Sequence, residues 1–192
     1  MNGPGHVLVV CTGNVCRSPY LERRLRQDLA GTGIEVSSAG TRGLVGRDMD
    51  PTSRALLVRA GADAEGFAAR ELTSELVAGA DLVITAAREH RAAAARLHPA
   101  ALRRAMTLRD LADLLDGVTP RELADGYHGE STWVRHVVDV AASRRGLVPA
   151  RQDGVDVTDP IGRGPEVFDR MAAEIDGALV PVVAALRAAP SA

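Results

Sequence analysis

The chain reads as an α/β protein: a parallel sheet covered by helices on both faces. Three observations carry that reading. Short apolar runs of strand length alternate with amphipathic helical patterns. The first run, His6 to Cys11, passes straight through a Gly/Asn turn into a helical pattern. A length of 192 residues with 46% hydrophobic content suffices for one substantial core, so a single domain over 1–192 is expected.

The first strand spans about 6–11. A helix follows from Arg17 to about Ala30, with Leu21, Leu25 and Leu29 on one face and Gly31 and Gly33 as its stop. Residues 34–38 form a second strand, and 40–50 a loop. Asp50-Pro51 opens a helix to about Ala60, with Gly61 as its stop. A third strand over 81–86 leads to a helix over about 88–97, and 105–108 is a fourth strand. Leu111, Leu114 and Leu115 mark a further amphipathic helix. A long helix over 166–187 closes the pattern, with Pro181 as a candidate bend.

Residues 117–154 fit the alternation less well. Thr119-Pro120-Arg121-Glu122 is a helix start, and Trp133, Val137, Val140 and Ala141 share a helical face. Residues 146–154 read as a loop. The stretch is expected to be a helical insertion. Its candidate roles are covering a pocket, recognising a ligand or adding to the core, and the core role is favoured.

The net charge is −2, which argues against non-specific nucleic-acid binding. All 23 basic residues are arginine, which fits a GC-rich coding bias. No apolar run has transmembrane length, so no membrane partner is expected. A leader cleaved at the first strand would remove the loop that follows it, so a cytoplasmic location is expected. The 2 cysteines, Cys11 and Cys16, exclude a disulfide framework or a cysteine zinc site. None of the 5 histidines shows metal-ligand spacing with cysteine, and neither a metal nor a cofactor is expected.

The chemistry concentrates in Cys11-Thr12-Gly13-Asn14-Val15-Cys16-Arg17-Ser18-Pro19. An apolar strand ends on Cys11, five residues follow, and Arg17-Ser18 opens a helix. A phosphate-binding loop with a thiolate nucleophile needs this spacing. Backbone amides of the loop would turn inward around an anion, and the positive end of the helix would face the same point. Such a field favours thiolates over thiols. Arg17 supplies a planar fork of donors for two phosphoryl oxygens. Asn14 suits a left-handed loop position. Ser18 is expected to donate to the Cys11 sulfur, to cap the helix, or both. The plain alternative, a core cysteine at a strand end, does not account for Gly13, Asn14 and Ser18-Pro19 together.

This loop resembles the opening motif of the low-molecular-weight protein tyrosine phosphatases. Further segments share the resemblance: Val36-Ser37-Ser38-Ala39-Gly40-Thr41, Ala69-Arg70-Glu71-Leu72, Ala80-Asp81-Leu82-Val83-Ile84-Thr85 and Thr158-Asp159-Pro160. The likeness implies a four-stranded sheet in the order 2-1-3-4 with the loop after the first strand. It implies a phosphomonoester hydrolase, directed at protein phosphotyrosine, that works through a phosphocysteine on Cys11. Thr12, Gly13, Asn14, Val15, Cys16 and Ser18 would bind the substrate with Arg17. Asp159 would be the general acid and base, with Asp156 as its rival. Ser38 would hold the Asn14 side chain. The likeness also implies that the Cys11 and Cys16 sulfurs approach each other; a protective disulfide and a buried small hydrophobe remain equal readings of Cys16.

Three departures bear on the substrate. Ile161 and Gly162 follow Asp159-Pro160, where tyrosine-directed members carry aromatic residues, and aromatics make up only 3% of the chain. Trp133 and Tyr127 are the candidates to replace that wall, and His128 and His136 are further residues of the stretch within possible reach of substrate. Phe67 stands where many members have a histidine that supports the loop asparagine. Val15 occupies the position where members acting on phosphoarginine carry threonine, which favours an ester substrate. The partner is then a phosphorylated protein or a small phosphomonoester; the oligomeric state stays open. The alternative functions are an arsenate reductase using an external thiol, and a non-catalytic phosphate-binding or redox-sensing module.

Overall fold

Residues 3–190 are described by a computed structural model. Strands β1 (His6–Cys11), β2 (Glu35–Gly40), β3 (Leu82–Thr85) and β4 (Ala105–Thr107) form one sheet in the order β2-β1-β3-β4. All pairings are parallel, so each crossover runs over a face of the sheet. The helices are α1 (Arg17–Asp28), α2 (Pro51–Arg59), α3 (Ser74–Gly79), α4 (Arg88–Leu97), α5 (Leu108–Leu115), α6 (Pro120–Asp125), α7 (Trp133–Ser143) and α8 (Pro165–Arg187).

Because side chains alternate along a strand, β1 feeds two cores. Val7 and Val9 pack with Leu82 and Ile84 under α1, α5, α7 and α8. Leu8 and Val10 pack with Val83, Val77 and Ala94 on the side of α3 and α4. Val7, Leu8, Val9 and Val10 are all fully buried, each worth about 1.5–3 kcal/mol over an exposed position. β1 therefore forms a rigid base for whatever follows Cys11.

Most expected elements are present with shifted ends. β2 begins one residue later than expected and continues through Gly40, because Ala39 and Gly40 pair with Val10 and Cys11. α1 stops at Asp28. Leu108 starts α5 instead of ending β4, since the Thr107 side chain caps the helix by accepting from the Asp110 amide. The Asp50 carboxylate accepts from the Thr52 and Ser53 amides, and Pro51 takes the first helical position of α2. Helix α3 was not expected; it is six residues long, too short for its periodicity to register, and is set by its Thr73 cap.

The stretch 117–154 contains α6, closed by a reciprocal Thr119–Glu122 capping box, and α7. Both pack away from the carboxyl ends of the strands. The Val134 amide donates to the Pro4 carbonyl, just before β1 begins. Trp133 Nε1 donates to the Ala185 and Leu186 carbonyls at the end of α8, at 3.2 and 3.0 Å. Tyr127 meets the Trp133 ring edge-on at 5.1 Å between centroids, and His136 lies against both rings. Trp133 and Tyr127 therefore do not replace an aromatic wall at a phosphate site, and His136 does not reach one. The following segment returns to the other end of the sheet. Arg151 makes a paired contact to Asp113, the Arg88 amide donates to Asp156, and the Val157 amide donates to Ala86. These bonds deliver Asp159 to the carboxyl end of β1.

Candidate active site

The loop after β1 is held from outside through its carbonyls. Those of Cys11, Thr12, Gly13 and Val15 accept from the amides of Thr41, Arg42, Leu44 and Asp50 at 2.8–3.0 Å. With the carbonyls turned outward, the amides of Gly13, Asn14, Val15 and Cys16 find no acceptor among the described residues. Such a ring of free amides forms an anion-binding concavity. The N-terminus of α1 adds its partial positive charge there, since its N-cap, Cys16, makes no side-chain capping bond.

Asn14 locks the loop from behind. It has φ 55°, the only positive φ outside glycine among the described residues, and it is fully buried. Its amide nitrogen donates to Ser18 Oγ at 2.9 Å and to Ser38 Oγ at 2.8 Å. Its carbonyl oxygen accepts from the Arg70 amide at 2.9 Å. Ser38 in turn donates to the buried Glu22 carboxylate, which Arg26 neutralises at 2.8 Å. Because Ser18 Oγ already accepts from Asn14, its own proton is free for the Cys11 sulfur, 2.9 Å away. Gly40 permits this closeness. A Cβ there would lie 2.5 Å from the Thr12 carbonyl oxygen and 2.9 Å from the Asn14 amide.

Over the loop lies a cavity of about 370 Å³ lined by Cys11, Thr12, Gly13, Val15, Cys16, Arg17, Arg42, Leu44, Glu89, Asp159 and Ile161. Arg17 Nη2 donates to Asp159 Oδ2 at 2.7 Å and to Thr12 Oγ1 at 3.1 Å. Asp159 is held by the Ile161 amide, and Thr158 before it donates twice to Glu174 of α8. Burial, together with the Asp50 and Cys11 charges, pushes the Cys16 thiol up to about 12. A second cavity of about 360 Å³ lies between α4, α5 and the 145–151 loop, but it holds no residue of the Cys11 loop. Cys11, Arg17, Asp159 and the free loop amides meet at the first cavity.

The family model described as low molecular weight phosphotyrosine protein phosphatase matches residues 6–148. The chain belongs to this family. The low molecular weight protein-tyrosine-phosphatase Etp of Escherichia coli K12 is 43% identical over 93 residues, covering 48% of this chain and 62% of Etp. Wzb of the same strain is 38% identical over 85 residues, covering 44% of this chain and 56% of Wzb. These alignments thus span a little over half the length of the curated relatives. Among solved structures, the low molecular weight protein tyrosine phosphatase of T. tengcongensis superposes with TM-score 0.67 at 25% identity, covering 93% of this chain and 97% of the other. The YwlE arginine phosphatase of Geobacillus stearothermophilus gives TM-score 0.70 at 23% identity, covering 96% and 94%, a likeness of fold.

Within this low molecular weight phosphatase fold, Cys11, Thr12, Gly13, Val15, Cys16, Arg17 and Asp159 are brought together at one cavity. Asn14 and Ser18, both expected to touch substrate, keep their side chains behind the loop, and Asn14 offers the concavity its backbone amide alone. Asn14 spends its side chain on closing the loop and Ser18 faces the sulfur, so neither side chain lines the cavity. Ser18 is not the α1 N-cap either; that position is Cys16. Asp156 is occupied by the Arg88 amide at the start of α4 and lies outside the cavity lining. Phe67 packs by the Arg23 guanidinium, and the Arg70 amide serves the Asn14 carbonyl. The described residues hold no group of three or more His, Cys, Asp or Glu placed for a metal ion. Sequence reading gave no role to Glu22 and His90, and named Arg70 and Gly40 only within the resembling segments. Glu22 sits mid-helix in an Arg-rich surface pattern, and nothing in that pattern signals that it turns inward to Ser38.

Proposed function

We propose that the chain hydrolyses phosphomonoesters, with protein phosphotyrosine as the leading substrate class, through a phosphocysteine on Cys11. One observation carries this reading: Cys11, the free loop amides and the Arg17–Asp159 pair share one cavity. The Cys11 thiolate attacks phosphorus in line with the ester oxygen. The S–P bond forms as the P–O bond breaks, and Asp159 gives its proton to the departing oxygen. The loop amides and Arg17 hold the three equatorial oxygens through the transition state. Asp159 then takes a proton from water, which attacks phosphorus, breaks the S–P bond and releases phosphate and the thiolate.

Substrate breadth follows from the rim. Leu44 and Ile161, 41% and 55% exposed, line the cavity with aliphatic surface. That surface suits a phenyl ring without demanding one, so small phosphomonoesters share the substrate class. Val15 offers no hydroxyl to a guanidinium, which favours esters over phosphoarginine. We assign the chain to a reducing compartment, the cytoplasm, because the proposed reaction needs Cys11 as an unoxidised thiol. The reaction uses no cofactor. We also propose one domain over 1–192, with 117–154 as a helical insertion that adds to the core.

The test is hydrolysis of para-nitrophenyl phosphate under reducing conditions. The wild type turns over, Cys11→Ser loses at least about 10⁴-fold, and Asp159→Ala loses about 10²–10⁴-fold. Asp156→Ala keeps most of the activity. A wild type no faster than Cys11→Ser overturns the reading; arsenate reduction with an added thiol is the assay to run next.

A further inference from the structure

His90, in the first turn of α4, is 1% exposed. Its Nε2 lies 2.9 Å from Thr12 Oγ1, the hydroxyl that accepts from Arg17 at 3.1 Å. Its Nδ1 is buried and has no partner among the described residues. Burial and the Arg17 charge hold the imidazole down to about 4, against the opposing pull of Glu89, Asp156 and Asp159. The ring is therefore neutral near pH 7 and carries one N–H.

The unpartnered Nδ1 decides where that proton sits. An N–H on Nδ1 would be a buried donor without an acceptor, and orphaned buried N–H groups are rarer than under-used acceptors. The proton therefore belongs on Nε2, which faces Thr12 Oγ1 at 2.9 Å and Glu89 Oε1 at 3.4 Å, and the shorter contact to Thr12 takes it. That oxygen then accepts from both His90 and Arg17, which fills its two lone pairs. Its remaining capacity is its own O–H, and Thr12 lines the cavity above the loop.

We infer that His90 positions the Thr12 hydroxyl as a hydrogen-bond donor to an oxygen of the anion bound in the loop. This rests on the phosphate-site reading above. It adds a directional donor, beside the amides and Arg17, that the Cys-x5-Arg motif does not contain. His90 itself touches no substrate; it is a positioning residue.

The experiment is calorimetric titration of the intact protein with inorganic phosphate, alongside turnover of para-nitrophenyl phosphate. Thr12→Val removes the hydroxyl at constant shape and weakens phosphate binding about ten-fold or more, while Thr12→Ser restores it. His90→Phe keeps a buried ring without the donor and weakens binding similarly. His90→Gln, which keeps an N–H near the Nε2 position, recovers part of the loss. The double variant Thr12→Val/His90→Phe loses no more than Thr12→Val alone, because the two act in series. In an Arg17→Ala background the Thr12→Val loss persists. Additive losses overturn the inference, as does an unchanged affinity in Thr12→Val. Disappearance of the Thr12 effect without Arg17 also overturns it, by making Thr12 only an anchor for the arginine. Binding does not need turnover. An inactive wild type that binds phosphate through Thr12 sinks the hydrolase reading and supports this inference; a wild type that neither binds nor turns over sinks both.

Discussion

The two ends of the sheet are built from different materials. At the carboxyl ends, the loop is held by polar groups whose capacities are nearly all spent: Asn14 on Ser18, Ser38 and Arg70, and Ser38 on Glu22. At the amino ends, the 117–154 stretch is held by Trp133, Tyr127, Val134 and Leu123 packed on α8 and against the entry to β1. The polar end has few alternative arrangements, because any shift leaves a buried donor or acceptor unpaired. The apolar end tolerates changes of shape that conserve volume. Geometry is concentrated at one end and cohesion at the other.

Trp133→Ala tests the apolar end and has the largest effect. It should cost about 3–5 kcal/mol of stability by urea unfolding, while the kcat/KM of the folded fraction changes less than about two-fold. A large activity loss at full folding would tie the insertion to the site. Asn14→Ala is the converse case. It strands Ser18, Ser38 and the Arg70 amide, and activity should fall about 10²-fold through loop misplacement, with the amides of Thr41, Arg42, Leu44, Asp50 and Arg70 losing hydrogen-exchange protection. Activity near wild type would mean that the carbonyl bonds to residues 41–50 suffice.

Acid titration probes the polar end more gently. The folded His90 binds its proton only near 4, against an ordinary value of 6.5. Between those values the unfolded chain holds a proton that the folded one refuses, so stability falls as pH drops through that window. The loss approaches about 3 kcal/mol at the acid end. Arg17 supports the neutral ring, and Glu89, Asp156 and Asp159 oppose it. Urea midpoints for the wild type and His90→Gln should converge below pH 5; parallel curves would show that another group controls the acid limb. The smallest change compares the two cysteines. With its thiol near 12, Cys16 should resist iodoacetamide at pH 7 while Cys11 is alkylated. Equal labelling would mean that the loop opens readily.

Much of the fold was legible because its signals are local. β1 reads as one apolar run because both its faces are buried, and α2 is announced by Asp50-Pro51. Helix α3 left no trace because six residues carry less than two turns of pattern. At the site, Cys11 and Arg17 were legible from spacing, and Asp159 from the family resemblance that its Asp-Pro pair carries. Glu22, Arg70 and His90 were not, since each reaches the loop from a different element.

The order of residues alone determined the parallel α/β class, the loop after the first strand and the Cys11–Arg17 spacing within it. Strand periodicity, caps and the Cys-x5-Arg spacing act within a few residues of chain. Only the tertiary structure decided that Ser18 serves the sulfur, that Asp159 and not Asp156 meets Arg17, and that Trp133 lies far from the cavity. The Asp159–Arg17 pair joins positions 142 residues apart and the Thr12–His90 pair positions 78 apart. Their partners are fixed by how helices pack across the sheet, and by the cost of leaving a buried polar group without one.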